Sequence, residues 1–227
     1  MKKTFYVTSP IFYPNAQPHL GHAYTTLVCD VLARYHRDVL GEDTYFLTGT
    51  DEHSEKIIQA AQKDGQEPER YLAEIVERFK TLYRALDIRY DQFIRTSDHR
   101  IHWPGAIEMW KRIEHDLYRS EYVGLYCVGC ESFKTEKELV NGLCPDHGVP
   151  PEKVREENHF FRLSTYASEL ERLIEKDAIN IVPRSRKAEL LSFIRSGLED
   201  VSFSRPKEKM TWGIPVPDDK SQTMYIW

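Results

Sequence analysis

The 227-residue chain has no apolar run near the ~18 residues that a membrane-spanning helix needs. Lys2 and Lys3 lead into Thr4-Phe5-Tyr6-Val7-Thr8-Ser9-Pro10, too short and too polar for the core of a secretion signal, so the chain reads as cytoplasmic. Positive charge is not in excess: 31 Lys and Arg stand against 36 Asp and Glu, and the formal charge of −5 excludes a uniformly basic coat for nucleic acid. Cysteine is scarce, with four residues, which without a secretion signal argues against a disulfide framework. Internal repeats and low-complexity segments are also absent. What remains, 41% hydrophobic and 30% charged, is a globular chain long enough to bury roughly 70% of its unfolded surface without a staple. Its length suits one large domain or one domain carrying an insertion.

The spacing predicts an alternation of strands and helices. Residues 4–8 and 44–48 are short aromatic and β-branched runs, each opening into a loop before a helical pattern, and Gln92-Phe93-Ile94-Arg95-Thr96 reads as a third strand. The first helix carries Leu20, Tyr24, Leu27, Val31 and Tyr35 at helical spacing, a stripe read as its inner face, with Gly41 at the C-terminal cap. Further helical spacing runs from Tyr71 to Leu86 and from Trp103 to Leu117. Such alternation implies an α/β fold with a parallel sheet covered on both faces. From about Tyr118 the periodicity disappears until Leu163, and this stretch reads as an inserted module. Helical spacing returns at Tyr166, Leu170 and Leu173 and again at Leu190, Leu191 and Ile194, followed by a strand over Val201-Ser202-Phe203-Ser204. Residues 210–227 read as loop ending in an apolar strand that the chain leaves unfinished, as a truncation would.

Three groups of residues carry chemistry. In Cys127-x2-Cys130-x13-Cys144-x2-His147 two short knuckles can close a tetrahedron around zinc. Three thiolates and one imidazole leave no position for water, so the predicted role is one structural Zn2+ per chain, against chance placement or disulfides. Cys29, alone in a helix, reads as a buried thiol. Second, Pro18-His19-Leu20-Gly21-His22 sets two imidazoles at a helix N-terminus, where free N–H groups suit phosphate, and Gly21 would let a flat ligand lie against the backbone. The alternative is a pair of turn histidines that cap the helix. Third, Asp51, with Glu52 and His53, follows the second strand and either projects into the ligand crevice of a doubly wound sheet or caps the next helix, whose apolar residues begin at Ile57. Between residues 181 and 210, seven basic residues stand against four acidic ones, either a local nucleic-acid-contacting surface or a solvated helix face with ion-pair partners.

These motifs sit within longer ones: Thr8 to His22 (TSPIFYPNAQPHLGH), Phe46 to His53 (FLTGTDEH), Asp91 to Thr96 (DQFIRT), Gly124 to Cys127 (GLYC), Glu157 to Leu163 (ENHFFRL) and Trp212 to Pro217 (WGIPVP). Across essentially its whole length the chain closely resembles the methionyl-tRNA synthetases, which are class I aminoacyl-tRNA synthetases. The resemblance implies a Rossmann-like, HUP-type catalytic sheet over residues 1–117. A connective insertion over 118–200 would hold a zinc knuckle at 126–148, and 201–227 would return toward the sheet. It implies ATP-dependent activation of L-methionine to methionyl-adenylate and transfer to tRNA(Met), with Mg2+ accompanying ATP. His19, Gly21 and His22 would bind ATP, the two histidines as catalytic residues. Asp51 would hold the methionine ammonium, and Ile11, Tyr13 and Trp227 would line its side-chain pocket.

Ser54 stands where the family usually has glycine, which would strain the loop if that position needs a positive φ. The insertion, at about 80 residues, is too short for the hydrolytic domain of the branched-chain relatives, which favours methionine. In the family the second half of the nucleotide-binding fold, a lysine-bearing KMSKS loop and an anticodon-binding domain follow the position of Trp227, so this chain alone is expected not to activate methionine at a useful rate. Two other readings remain: an HxGH nucleotidyltransferase, which would lack the zinc module, and a non-catalytic zinc-containing tRNA-binding or structural fragment.

Overall fold

The computed structural model describes residues 2–225 except 131, 135 and 211, and it is α/β. The chain divides into two compact units: residues 1–106 with 127–132 and 146–148, and residues 107–126, 133–145 and 149–227. Among the described residues no helix is long and apolar enough to cross a membrane.

The first unit is built on three parallel strands in the order β1 (Thr4–Thr8), β2 (Asp43–Thr50), β3 (Gln92–Arg95). Thr4 to Thr8 pair with Asp43 to Leu47, and Leu47 to Thr50 with Gln92 to Arg95, so all three carboxyl ends lie at one edge. Gly49 is needed in β2, because a Cβ there would fall 2.0 Å from the Ile94 oxygen of β3. Helix α1 (Leu20–Arg34) runs on as a π-helical turn over Tyr35–Val39 and stops at Gly41, whose φ of +65° suits glycine. Helices α2 (Glu55–Lys63) and α3 (Pro68–Ala85) follow. In α3, Pro68 occupies the first turn, and Tyr71, Leu72, Ile75, Val76, Phe79 and Tyr83 form one buried stripe. With Phe46 and Ile57 they make the core of this unit.

Helix α1 corrects the expectation drawn from its apolar stripe. Leu20 (84% exposed), Tyr24, Leu27, Val31 and Tyr35 all face outward, whereas Thr26, Cys29, Asp30 and Ala33 are buried. The polar members of the inner face have partners there. The Thr26 hydroxyl bonds His22 O and Tyr83 Oη, while Asp30 accepts from Arg34 Nε at 2.6 Å and the Arg89 N–H at 2.7 Å. Once satisfied, these groups bury at little cost, and periodicity alone cannot reveal that.

Helix α4 (His102–Arg112) is shorter than its spacing suggests, because β4 (Leu117–Cys127) begins where the helix was expected to end. In the second unit β4 pairs antiparallel with β6 (Glu152–Phe161), from Leu117↔Phe161 to Tyr126↔Glu152. This sheet runs in the order β5 (Ser132–Lys134), β4, β6, β7 (Val201–Ser202). The sequence showed no strand here, since half the side chains of β6 are charged and the Tyr, Gly and Cys of β4 break its alternation; cross-strand ion pairs join the two, Arg119 with Glu157 at 3.1 Å and Arg155 with Glu121. Helices α5 (Ala167–Glu175) and α6 (Arg184–Arg195) match their predicted spacing. The segment expected to be loop forms β9 (Pro215–Val216) and β10 (Asp219–Met224), joined by β8 (Ser204–Pro206) in the order β8, β10, β9.

Candidate functional site

His19 is the N-cap residue of α1, and its Nδ1 accepts the Gly21 N–H at 3.1 Å while the His19 N–H donates to His22 Nδ1 at 3.1 Å. The capping alternative is therefore realised, and in a form that leaves the phosphate reading intact. A neutral imidazole whose Nδ1 accepts a hydrogen bond carries its proton on Nε2. Both rings thus carry an Nε2–H donor at the N-terminal end of the helix they cap, an end that favours negative charge. The rings stack with centroids 3.8 Å apart. Burial, then the neighbouring His19, lowers the His22 pKa, so it remains a neutral donor at pH 7. Gly21 makes room for the His19 ring, whose atoms would lie 3.0 Å from a Cβ.

Asp51 is half-buried at the carboxyl end of β2. It is not the cap of α2, which begins at Glu55, so Ser54 holds the position before the first turn. Ser54 is buried and is not among the non-glycine residues of positive φ, so it carries no backbone strain. Ile11 and Tyr13, half-buried and partly exposed, flank Phe12, which forms a parallel bridge with Thr50. The Phe12 N–H donates to Gly49 O at 3.3 Å and its oxygen accepts the Asp51 N–H at 2.9 Å. Its ring lies 4.5 Å from that of His22 and 6.1 Å from that of Phe79. Phe12, flanked in the chain by Ile11 and Tyr13, therefore joins Asp51 through its main chain to His22 through its ring, and the sequence analysis gave it no role. Trp227 lies outside the described residues.

Behind Asp51 lies a second set of residues not anticipated from the sequence. The fully buried Glu52 carboxylate accepts from Thr50 Oγ1 at 2.7 Å, from Arg95 Nε at 2.8 Å and from Ser97 Oγ, and the Glu52 N–H donates to Thr96 Oγ1 at 2.7 Å. Arg95 and Thr96 stand in the DQFIRT motif, the one signal that could have pointed to them. Nearby, His53 is buried with its ring 6.0 Å from that of Trp103, and its pKa falls to about 4 through burial and the proximity of His102 and His99.

Cys127, Cys130, Cys144 and His147 form a cluster that can hold a metal ion such as zinc, their ligand atoms all within 4.8 Å of one another. His147 Nδ1 is 3.9 Å from Cys127 Sγ and 3.4 Å from Cys130 Sγ. A zinc tetrahedron with Zn–S of about 2.3 Å and Zn–N of about 2.0 Å has ligand-to-ligand edges of roughly 3.5–3.8 Å, so the donor set fits. Gly129 is required by this packing, since a Cβ there would lie 2.5 Å from the His147 ring. None of the four cysteines forms a disulfide, and Cys29 is the buried thiol expected, its Sγ 3.6 Å from Thr8 O. In the basic stretch, Arg186, Lys187, Arg195 and Arg205 are all in ion pairs, which favours the ion-paired reading over a free basic surface.

The family described as tRNA synthetases class I (M) matches residues 5–152 and 146–227. The chain is 46% identical, over 100% of its length, to the methionine–tRNA ligase of Caldanaerobacter subterraneus subsp. tengcongensis, of which it covers 35%. It is 45% identical over 99% of its length to the chloroplastic/mitochondrial methionine–tRNA ligase of Arabidopsis thaliana, covering 36% of that protein. Among solved structures, Mycobacterium tuberculosis methionyl-tRNA synthetase in complex with methionyl-adenylate superposes with a TM-score of 0.91 at 39% identity, over 99% of this chain and 45% of that one. The chain thus spans about a third of the length of the curated relatives it matches.

Proposed function

The chain belongs to the class I (M) tRNA synthetases, and from that premise we propose that it carries the methionine-binding and phosphate-binding parts of a methionine–tRNA ligase. The observation that carries the reading is the junction at Phe12, which sets Asp51 and His22 on either side of one residue at the carboxyl edge of a parallel sheet. In this reading Asp51 takes the methionine ammonium, and Ile11 and Tyr13 line the side-chain pocket with Trp227. His19 and His22 donate from Nε2 to the phosphates of ATP, and Gly21 keeps the backbone accessible beside them. The methionine carboxylate attacks the α-phosphorus and pyrophosphate leaves; the 3′-terminal hydroxyl of tRNA(Met) then attacks the methionyl-adenylate carbonyl. Both nucleophiles belong to substrates, so the chain contributes positioning and fixed donors rather than a nucleophile of its own. Mg2+ bound with ATP would neutralise charge on the departing pyrophosphate.

The four-ligand knuckle is read as holding one structural Zn2+ per chain, inside a connective insertion over 118–200 that separates the catalytic sheet (1–117) from the returning segment (201–227). A cytoplasmic location goes with this function. The test is calorimetric binding of L-methionine and of a non-hydrolysable methionyl-adenylate analogue. Binding of the analogue that is lost in Asp51→Ala and His22→Ala supports the reading, whereas no binding of either ligand overturns it.

A further inference from the structure

We propose that Glu52 and Arg95 are a positioning pair for Asp51, fixing the direction of its carboxylate toward the substrate ammonium; this rests on the reading of Asp51 given above. Asp51 follows the last residue of β2, and the Thr50 hydroxyl bonds the Glu52 carboxylate, so residues 50 and 52 lie together on one side; an extended path between them would direct Asp51 to the other. Glu52 and Arg95 therefore act from behind the candidate pocket.

The arrangement is costly if its only purpose is packing. A carboxylate with no exposure loses its hydration, and an apolar side chain of similar size would generally fill such a place as well or better. Here the lost hydration is replaced by Arg95 Nε, Thr50 Oγ1 and Ser97 Oγ. What the network adds is constraint on both peptides that flank the Asp51 Cα. The Asp51 N–H is held by Phe12 O at 2.9 Å and the Glu52 N–H by Thr96 Oγ1 at 2.7 Å, with the Glu52 side chain anchoring the following turn. Together these bonds fix where the Asp51 Cα–Cβ bond points. Gly49 allows the close approach of β3 that brings Arg95 and Thr96 within reach. Misplacing a binding group by about 1 Å can cost as much as ~10²-fold, the scale on which such a clamp would matter.

The test compares L-methionine with 4-(methylsulfanyl)butanoate, the same molecule without its ammonium, as ligands in calorimetry. Glu52→Gln and Arg95→Met are expected to weaken methionine binding about tenfold and to change affinity for the desamino ligand less than about twofold. The double variant should be no weaker than the poorer single one, as for two residues acting as a unit. Ser97→Ala removes one anchor without touching the charge pair, and it carries the same test in milder form, about threefold, if the other variants do not fold. Equal weakening of both ligands marks a merely structural role and overturns the proposal. Unchanged methionine binding in Glu52→Gln and Ser97→Ala, with the preference for methionine lost in Asp51→Asn, overturns the proposal and leaves the reading of Asp51 standing. A preference that survives Asp51→Asn overturns both.

Discussion

The carbonyl oxygen of Phe12 accepts the N–H of Asp51 at 2.9 Å. The same residue turns its ring to His22, 4.5 Å away, so the candidate ammonium-binding carboxylate and a candidate phosphate donor are spaced by one side chain and its own main chain. Phe12→Leu keeps an apolar group but removes the aromatic ring that packs, tilted, against His22. Its expected effect is a loss of about tenfold in affinity for a methionyl-adenylate analogue, with a smaller loss for methionine, as measured by calorimetry. Equal losses for the two ligands would contradict the spacing role.

His19 both caps α1 and presents Nε2, and the two roles are separable. Asparagine is a good N-cap but has no donor at the Nε2 position. His19→Asn should melt within about a degree of the parent, whereas His19→Ala should lose about 1 kcal/mol of stability by denaturant titration. Both should bind the adenylate analogue more weakly. An unaffected His19→Asn would remove His19 from the phosphate site.

Metal content of reduced, freshly purified protein is expected to be one zinc per chain. Because such sites couple metal binding to local folding, a chelator should raise hydrogen exchange across residues 120–160 while leaving β1, β2 and β3 protected. Cys144→Ser should weaken metal retention in dialysis. Protein that is metal-free by elemental analysis would count against the knuckle as a zinc site.

His53 gives a stability test with a definite sign. Its pKa falls to about 4 in the fold, chiefly through burial and then through His102 and His99, against the ordinary 6.5 of an unfolded chain. The unfolded chain therefore takes up the proton first as the solution is acidified. The contribution of the neutral ring is complete above pH 6.5, declines as the pH falls below that value, and is gone below about 4. His53→Gln should lose less stability than the parent across that window, by about 3 kcal/mol in urea titrations at several pH values. Parallel pH curves for the two proteins would refute it.

In the second unit Arg205 pairs with Glu156 at 2.9 Å, both side chains almost wholly buried. The guanidinium lies 4.3 Å from the Tyr126 ring and 4.6 Å from the Tyr225 ring. Removing one partner strands the other charge, so Arg205→Met is expected to cost about 3–5 kcal/mol. Restoring neutrality with Glu156→Gln on the same background should recover part of it, as a double-mutant cycle would show.

Much of this was legible in the sequence because local chemistry decided it. The helical spacing from Tyr71, Gly41 at a helix end, the strand runs 4–8 and 92–96 and the Cys and His spacing at 127–147 each report a constraint that neighbours in the chain impose. The inner face of α1 was not legible, because Asp30 is made buriable by Arg89, a residue 59 positions away. The β4 and β6 ladder was hidden for a related reason. Half of β6 is charged, with Arg155 and Glu157 paired across the ladder, so that strand shows no apolar alternation. At the candidate site, His19, His22 and Asp51 carried signals in the sequence, whereas the residues packed around them did not. Phe12 acts through its main chain, and Arg95 through a carboxylate 43 positions earlier.

The long ladder of β4 and β6 also raises a problem of slippage. Glu121 sits directly opposite Glu157, and relief comes from the diagonals, Arg155 to Glu121 and Arg119 to Glu157. A slide of two residues would keep every side chain on its own face and would set Arg119 opposite Glu157 and Glu121 opposite Arg155, so charge alone does not forbid it. That slide moves one strand by about 6.8 Å along the other. Cys127 ends β4, and Cys130, Cys144 and His147 lie in the connection between it and β6, so such a displacement would pull on the cluster whose ligand atoms now lie within 4.8 Å of one another. A metal ion closed in by the four ligands would tie the end of β4 to the connection that leads into β6, so filling the cluster would oppose a slide that charge alone leaves open.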